Sequence, residues 1–186
     1  MFEGWAESFP TVEVLAVDLQ AGLNVAEASM TNYAAVIARD AERIPHPRAL
    51  CGWSSGGLAA MMAARQAEAE LLVLLEASTP AEVQGFDESI PLEPGTFDPE
   101  KTYGAFPPGM PARPESSLAR AERKRGISVP SLPCPALVVY GDEFADERGQ
   151  ELAAFYGAEA LAFPGLGHWD LVLDERVRER LGRRGQ

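Results

Sequence analysis

The chain has 186 residues, a length that fits one domain with a hydrophobic core of its own. It carries 28 acidic and 16 basic side chains, a formal charge of -12, and this excess of negative charge argues against nucleic acids and anionic membrane surfaces as partners. No apolar run approaches the roughly 18 residues of a membrane span, and the amino terminus lacks a secretion leader pattern, so we expect a cytoplasmic protein.

Short apolar runs alternate with helical patterns along the chain. The predicted strands are Val12–Leu19, Arg48–Trp53, Leu71–Ser78, Ala136–Asp142 and Glu159–Gly165. Because these runs are almost continuously apolar, we expect strands that are covered on both faces.

The two cysteines lie at Cys51 and Cys134, without CxxC spacing or a nearby histidine cluster, so we predict small buried thiols and no metal site or disulfide.

Helices are predicted between these strands. Apolar residues recur at helical spacing from Met30 to Ile44. Further helices are predicted to begin near Gly57, Asp146 and Asp174, with Gly157 ending the second of these three. Strands that alternate with helices in this way predict an α/β fold, a parallel sheet with helices on both faces, within one domain over residues 1–186.

Residues 79–133 break the alternation. They carry ten of the fifteen prolines in the chain and are too long for an ordinary connection. We interpret this segment as a small cap inserted over the carboxyl edge of the sheet; a partly disordered excursion is the alternative.

A serine motif follows the second predicted strand. Gly52 to Gly56 has the form G-x-S-x-G and lies between a predicted strand and a predicted helix. The spacing suits a strained turn, because residues without side chains let the helix pass close to the strand. Such a turn presents the Ser54 hydroxyl as a nucleophile and the Ser55 amide as an oxyanion donor. The alternative is a structural turn of small residues.

A serine hydroxyl needs a base to become a good nucleophile, and the chain offers two histidines. His46 precedes the strand that leads to Ser54, so we expect it at the amino edge of the sheet. His168 follows the last predicted strand through a glycine-rich loop, which places it at the carboxyl edge with Ser54. An exposed loop histidine is the alternative for His168.

These motifs resemble the α/β-hydrolase fold family over most of the chain, in the order serine before histidine. The likeness rests on VEVLAVDL, CGWSSGG, ALVVYGDEF and PGLGHWDLVLD. It implies a serine hydrolase, esterase-like, that cleaves a small ester or other acyl substrate through an acyl-serine and needs no cofactor. Ser54 is then the nucleophile, His168 the base and Ser55 an oxyanion-hole donor. A non-catalytic binding protein and a C–C bond or thioester hydrolase are the alternatives.

The resemblance leaves the acid of the triad open. Members commonly place an aspartate three residues after the glycine that ends the later strand, where this chain has Phe144. Asp142, Glu143 and Asp146 are neighbours that could replace it. In the variant seen among haloalkane dehalogenases the acid ends the preceding strand, where this chain has Glu76, our first candidate. A triad without an acid, and a solvated loop charge at each position, are the alternatives.

The resemblance also implies strands before VEVLAVDL, one of which ends in a His-Gly loop that donates the second oxyanion amide. MFEGWAESFP resembles the helix after that loop. We therefore expect that the chain is a fragment or starts at an internal methionine. Without the second oxyanion amide it should be a weak catalyst, and exposed strand edges should lead it to form a homodimer.

We expect Trp53, Phe106, Met110 and Trp169 to form the apolar wall of the substrate pocket.

Overall fold

Four parallel strands form the central sheet of the computed structural model, which describes residue 2 and residues 4–183. In chain order the strands are β1 (Ala49–Trp53), β2 (Leu71–Leu75), β3 (Thr96–Phe97), β4 (Glu115–Ser116), β5 (Ala136–Tyr140) and β6 (Glu159–Ala162). The sheet has the order β1-β2-β5-β6, while β3 and β4 form a separate antiparallel ribbon. One row of the sheet runs through Cys51, Val73, Leu137 and Glu159. The parallel sheet that the sequence predicts is confirmed.

Helices follow the strands on both faces of this sheet. They are α1 (Trp5–Ser8), α2 (Met30–Ala41), α3 (Ser55–Ala63), α4 (Ala81–Gln84), α5 (Pro99–Tyr103), α6 (Ser117–Arg125), α7 (Leu152–Tyr156), α8 (Asp170–Leu173) and α9 (Glu175–Gly182). A π-helical segment, Ala145–Glu151, leads directly into α7. Gly157 ends α7 with a φ of 60°, and the Asp174 side chain caps α9 by accepting a hydrogen bond from the Arg176 amide, as the sequence predicts for both positions.

Among the described residues, no helix has the length and apolar character needed to cross a bilayer.

Alternate residues of β2 pack on opposite faces of the sheet. Leu72 and Leu74 are fully buried in the cluster formed with α2 and α3. Leu75 is fully buried in the cluster that contains Trp5 of α1 and Val177 of α9. Full burial of one such side chain contributes about 1.5–3 kcal/mol, so these two clusters fix the sheet between its helical layers.

The strand predicted at residues 12–19 is wrong. These residues form no ladder, and Val12 and Val14 are 53% and 40% exposed. Val17 and Leu19 pack against the core without belonging to the sheet. An apolar run becomes a strand when a neighbouring strand accepts its hydrogen bonds, and the described part of the chain provides no such neighbour.

The outer side of β1 has no partner strand among residue 2 and residues 4–183. Cys51 on β1 is exposed, which corrects the prediction of a buried thiol, and Cys134 is half-buried. Both cysteines are free thiols. Dimerisation through this edge stays a prediction.

Residues 79–133 carry more regular structure than their prolines indicate, since α4, β3, α5, β4 and α6 all lie within them. Two contacts tie the segment to the start of α2. The buried Ser116 hydroxyl donates to the Ala28 carbonyl at 2.5 Å, and the Glu122 carboxylate accepts a hydrogen bond from the Met30 amide at 2.7 Å. The segment is therefore anchored on the α2 side of the sheet.

Candidate active site

Ser54 lies in a strained turn between β1 and α3. Its backbone has φ 53° and ψ −126°, a conformation that costs a non-glycine residue on the order of 1–3 kcal/mol. Hydrogen bonds on both sides hold it: the Ser54 amide donates to the Leu75 carbonyl at 3.1 Å, and its carbonyl accepts from the amides of Ser78 at 2.8 Å and Gly57 at 3.0 Å. The turn is thus fixed to the end of the neighbouring strand.

Two glycines allow the close approach of strand and helix at this turn. A Cβ on Gly52 would lie 2.6 Å from the Gly56 oxygen, and a Cβ on Gly57 would lie 2.4 Å from the Cβ of Ala77. A Cβ on Gly56 would meet its nearest neighbour, a methyl of Leu19, at 3.9 Å. The sequence motif assigns the second close approach to Gly56, but the structure places it at Gly57.

We expect Gly57→Ala to lower the free energy of unfolding by about 1–3 kcal/mol, because the added methyl group overlaps Ala77 at the base of the turn. Gly56→Ala is the matched control. It lies in the first turn of the same helix, where a Cβ would make an ordinary van der Waals contact, and alanine favours helix, so the stability of Gly56→Ala is expected to be unchanged or slightly higher. Urea unfolding curves of both variants measure the difference. Equal midpoints would show that Gly57 is not tightly packed.

His168 pairs with a fully buried carboxylate. Its Nδ1 lies 2.7 Å from Oε2 of Glu76, and the other oxygen of Glu76 accepts a hydrogen bond from the Gly141 amide at 2.8 Å. Glu76 is 0% exposed and has a φ of 38°, so it also occupies a strained position directly after β2. With Nδ1–H donating to Glu76, the Nε2 of His168 is left for a second partner.

Aromatic rings hold the imidazole from two sides. Trp53 stacks on His168 with ring centroids 4.4 Å apart, and its indole N–H donates to the His168 carbonyl at 2.9 Å. Phe144 contacts the same imidazole edge-on at 5.1 Å. Because Trp53 directly precedes Ser54 in the chain, the stack brings the serine turn beside the histidine loop. Ser54, Glu76 and His168 therefore share the carboxyl edge of the sheet.

Two of the other candidate acids bind the backbone of this loop rather than the imidazole. Asp142 accepts a hydrogen bond from the Gly165 amide at 2.8 Å, and Glu143 accepts one from the backbone amide of His168 at 2.9 Å. Asp146 is exposed in the π-helical segment. Among the carboxylates that the structure describes, Glu76 is the one bonded to the His168 ring.

His46 lies at the opposite end of β1, as the sequence predicts. Its ring nitrogens face two glutamates there, Glu70 at 3.2 Å and Glu68 at 3.3 Å. These side chains are exposed and lie at the amino edge of the sheet. His46 is therefore placed away from the serine turn.

Three of the four predicted wall residues meet beside the histidine loop. Trp53 contacts Trp169 at 4.6 Å, and Trp169 contacts Phe106 at 4.9 Å. Met110 lies in a neighbouring turn, where its amide donates to the Pro107 carbonyl. Phe106 belongs to residues 79–133, so this ring contact joins that segment to the carboxyl edge of the sheet.

Sequence reasoning missed Arg148. Its guanidinium lies 3.9 Å from the ring centroid of Phe144, which in turn contacts His168. The spacing of four residues between an aromatic residue and an arginine in a helical segment was the signal in the sequence that could have indicated this contact.

Within the described residues, no cluster of three or more His, Cys, Asp or Glu side chains is arranged to bind a metal ion.

Comparison with known proteins gives one family and several structural relatives. A family model described as "Alpha/beta hydrolase family" matches residues 3–181. A yden-like hydrolase from Pectobacterium atrosepticum is similar at 17% identity over 96% of this chain and 78% of that chain, with a TM-score of 0.55. A thioesterase domain from the curacin biosynthetic pathway is 20% identical over 86% of this chain and 73% of that one, with a TM-score of 0.54.

A thermophilic esterase from Thermogutta terrifontis is 21% identical over 84% of this chain and 72% of that chain, with a TM-score of 0.53. Comparison with curated proteins found no match. At these identities the structural likeness establishes the fold, while the chemistry has to be argued from the residues at the site.

Proposed function

Because this chain belongs to the alpha/beta hydrolase family, we propose that it is a serine hydrolase that cleaves a small ester or another acyl substrate through an acyl-serine intermediate. The observation that carries the proposal is the buried Glu76 carboxylate on Nδ1 of His168, next to the strained turn of Ser54. A buried carboxylate of this kind orients an imidazole and stabilises it once it is protonated.

In the proposed reaction, Nε2 of His168 accepts the proton of the Ser54 hydroxyl as Oγ attacks the substrate carbonyl carbon. The imidazolium then gives that proton to the leaving alcohol, and the carbon–oxygen bond to the alcohol breaks, which leaves an acyl group on Ser54. Water repeats the sequence: His168 takes its proton, the hydroxide attacks the acyl carbon, and Ser54 leaves with the proton. Glu76 keeps its hydrogen bond with Nδ1 of His168 throughout.

We assign Ser55 to the oxyanion. Ser55 is the first residue of α3, and the amides of a first helical turn have no acceptor within the helix. The partial positive charge of a helix amino end adds to this hydrogen bond. We assign the apolar wall of the pocket to Trp53, Trp169 and Phe106, so residues 79–133 act as a cap that contributes Phe106.

Two measurements on the purified chain test this function. Intact-mass spectrometry after treatment with a fluorophosphonate is expected to show one added phosphonyl group, and urea-unfolded protein is the control for nonspecific labelling. Turnover is measured with 4-nitrophenyl acetate, butyrate and octanoate and with an acetyl thioester. A folded protein that neither labels nor hydrolyses any of the four is a non-catalytic member of the family.

A further inference from the structure

Arg148 and Arg123 are two cations that lie on different elements of the fold. Arg148 follows β5 in the π-helical segment, and Arg123 lies on α6. Burial lowers the pKa of Arg148, and the positive charge of Arg123 lowers it further. A guanidinium nitrogen of Arg123 donates a hydrogen bond to the Tyr103 hydroxyl at 3.3 Å, and its positive charge also lowers the pKa of Glu115, which burial raises.

Arg148 has hydrogen-bond donors to spare. Its Nε is buried with no hydrogen-bond partner in the described structure, and its guanidinium carbon lies 3.9 Å from the ring centroid of Phe144. A buried donor without an acceptor costs about 1–3 kcal/mol unless a bound group satisfies it. Because Phe144 also contacts His168 at 5.1 Å, one aromatic ring separates these donors from the proposed reaction centre.

The carboxylates around this guanidinium are engaged with other donors. Glu147, Glu76 and Glu143 are near enough to raise its pKa. Glu147 accepts from the Thr79 hydroxyl at 2.8 Å, Glu76 from the imidazole of His168, and Glu143 from the backbone amide of the same histidine. They offset its charge without occupying its N–H groups.

We propose that Arg148 binds a carboxylate of the substrate, with Arg123 supplying a second positive charge from α6. The proposal rests on the proposed function and adds the substrate class to it: an ester that carries a free carboxylate on its acyl or its alcohol part. A guanidinium fork matches the two oxygens of a carboxylate, and an anion between two arginines removes their repulsion. Arg123 thereby gains a role within a protein whose formal charge is -12.

Two pairs of substrates, matched in shape and differing in charge, test the acyl and the alcohol side separately. On the acyl side, monoethyl glutarate is compared with its neutral amide, ethyl glutaramate. On the alcohol side, 4-acetoxybenzoate is compared with 4-acetoxybenzamide. In at least one pair we expect kcat/KM of the anion to exceed that of the amide about 10- to 100-fold, and Arg148→Gln to bring this ratio close to one.

The controls separate charge from geometry. Arg148→Lys keeps the charge without the fork and should retain an intermediate ratio. Arg125→Gln removes a cation from the same helix as Arg123, but Arg125 lies over the ring of Phe86, so its ratio should equal that of wild type. Wild-type ratios near or below one in both pairs would overturn the proposal while leaving the hydrolase activity in place.

Binding decides the question independently of turnover. Isothermal titration calorimetry with glutarate and with 4-hydroxybenzoate, the two hydrolysis products that retain the free carboxylate, is expected to detect binding of at least one of them to wild type. Arg148→Gln should weaken that binding at least about tenfold. Absence of binding by both acids to wild type, or equal binding by Arg148→Gln, contradicts the proposal even if no ester is hydrolysed.

Discussion

Replacing Ser54 with alanine is expected to abolish covalent labelling by a fluorophosphonate and to lower ester turnover by about 10⁴-fold or more. The hydroxyl is the atom that we propose attacks the substrate, and loss of a nucleophile leaves only the catalysis that binding and the oxyanion donor provide. The strained φ of 53° is no obstacle to folding, since alanine replaces a residue of similar size at a position already occupied by a non-glycine residue.

Ser55→Ala is the matched control for this experiment. Its side chain is the neighbouring hydroxyl, equally half-buried, but the group proposed to contact the oxyanion is its backbone amide, which alanine keeps. Labelling should therefore persist in Ser55→Ala, with turnover reduced far less than in Ser54→Ala. Equal labelling of wild type and Ser54→Ala would remove Ser54 from the mechanism.

Glu76→Gln should cause the second-largest loss, about 10²–10⁴-fold in kcat. Glutamine has nearly the shape of glutamate, so its oxygen can still accept the hydrogen bond from the Gly141 amide. Its NH₂ group, however, would face Nδ1 of His168, and that contact favours the tautomer in which Nε2 carries the proton and cannot act as a base.

Asp146→Asn and Glu143→Gln are the comparison variants for Glu76→Gln, because both lie in the later loop that commonly supplies the acid. Each should retain most of the wild-type kcat, since neither carboxylate contacts the imidazole. Thermal midpoints check that all three proteins are folded. A larger loss in Asp146→Asn than in Glu76→Gln would move the role of the acid to the later loop.

The sequence predicts the parts of this site that depend on chain order. A serine between glycines after one strand, and a histidine after the last strand, must meet at the carboxyl edge of a parallel sheet, and the structure places Ser54 and His168 there. Glu76 is the first candidate for the same reason, because it directly follows β2, the neighbour of the strand that leads to the serine.

Features that depend on packing between distant segments were not predictable in this way. Gly56 and Gly57 are adjacent residues of the same type, so the sequence does not show which of them is tightly packed. The position of Ala77 across the turn shows that it is Gly57. The run Val12–Leu19 has the composition of a strand, but pairing depends on a neighbour that composition does not reveal. The surroundings of the Arg148 guanidinium also come from packing: it lies on the ring of Phe144, and its pKa is affected by Arg123 on α6.

The stack of Trp53 on His168 gives the protein an internal optical reporter. The chain has three tryptophans, and Trp53 and Trp169 lie together at the candidate site, whereas Trp5 is 4% exposed in the core on one face of the sheet. In a protein that keeps Trp53 and replaces Trp169, the two remaining indoles, Trp53 and Trp5, therefore report separately on the candidate site and on the core.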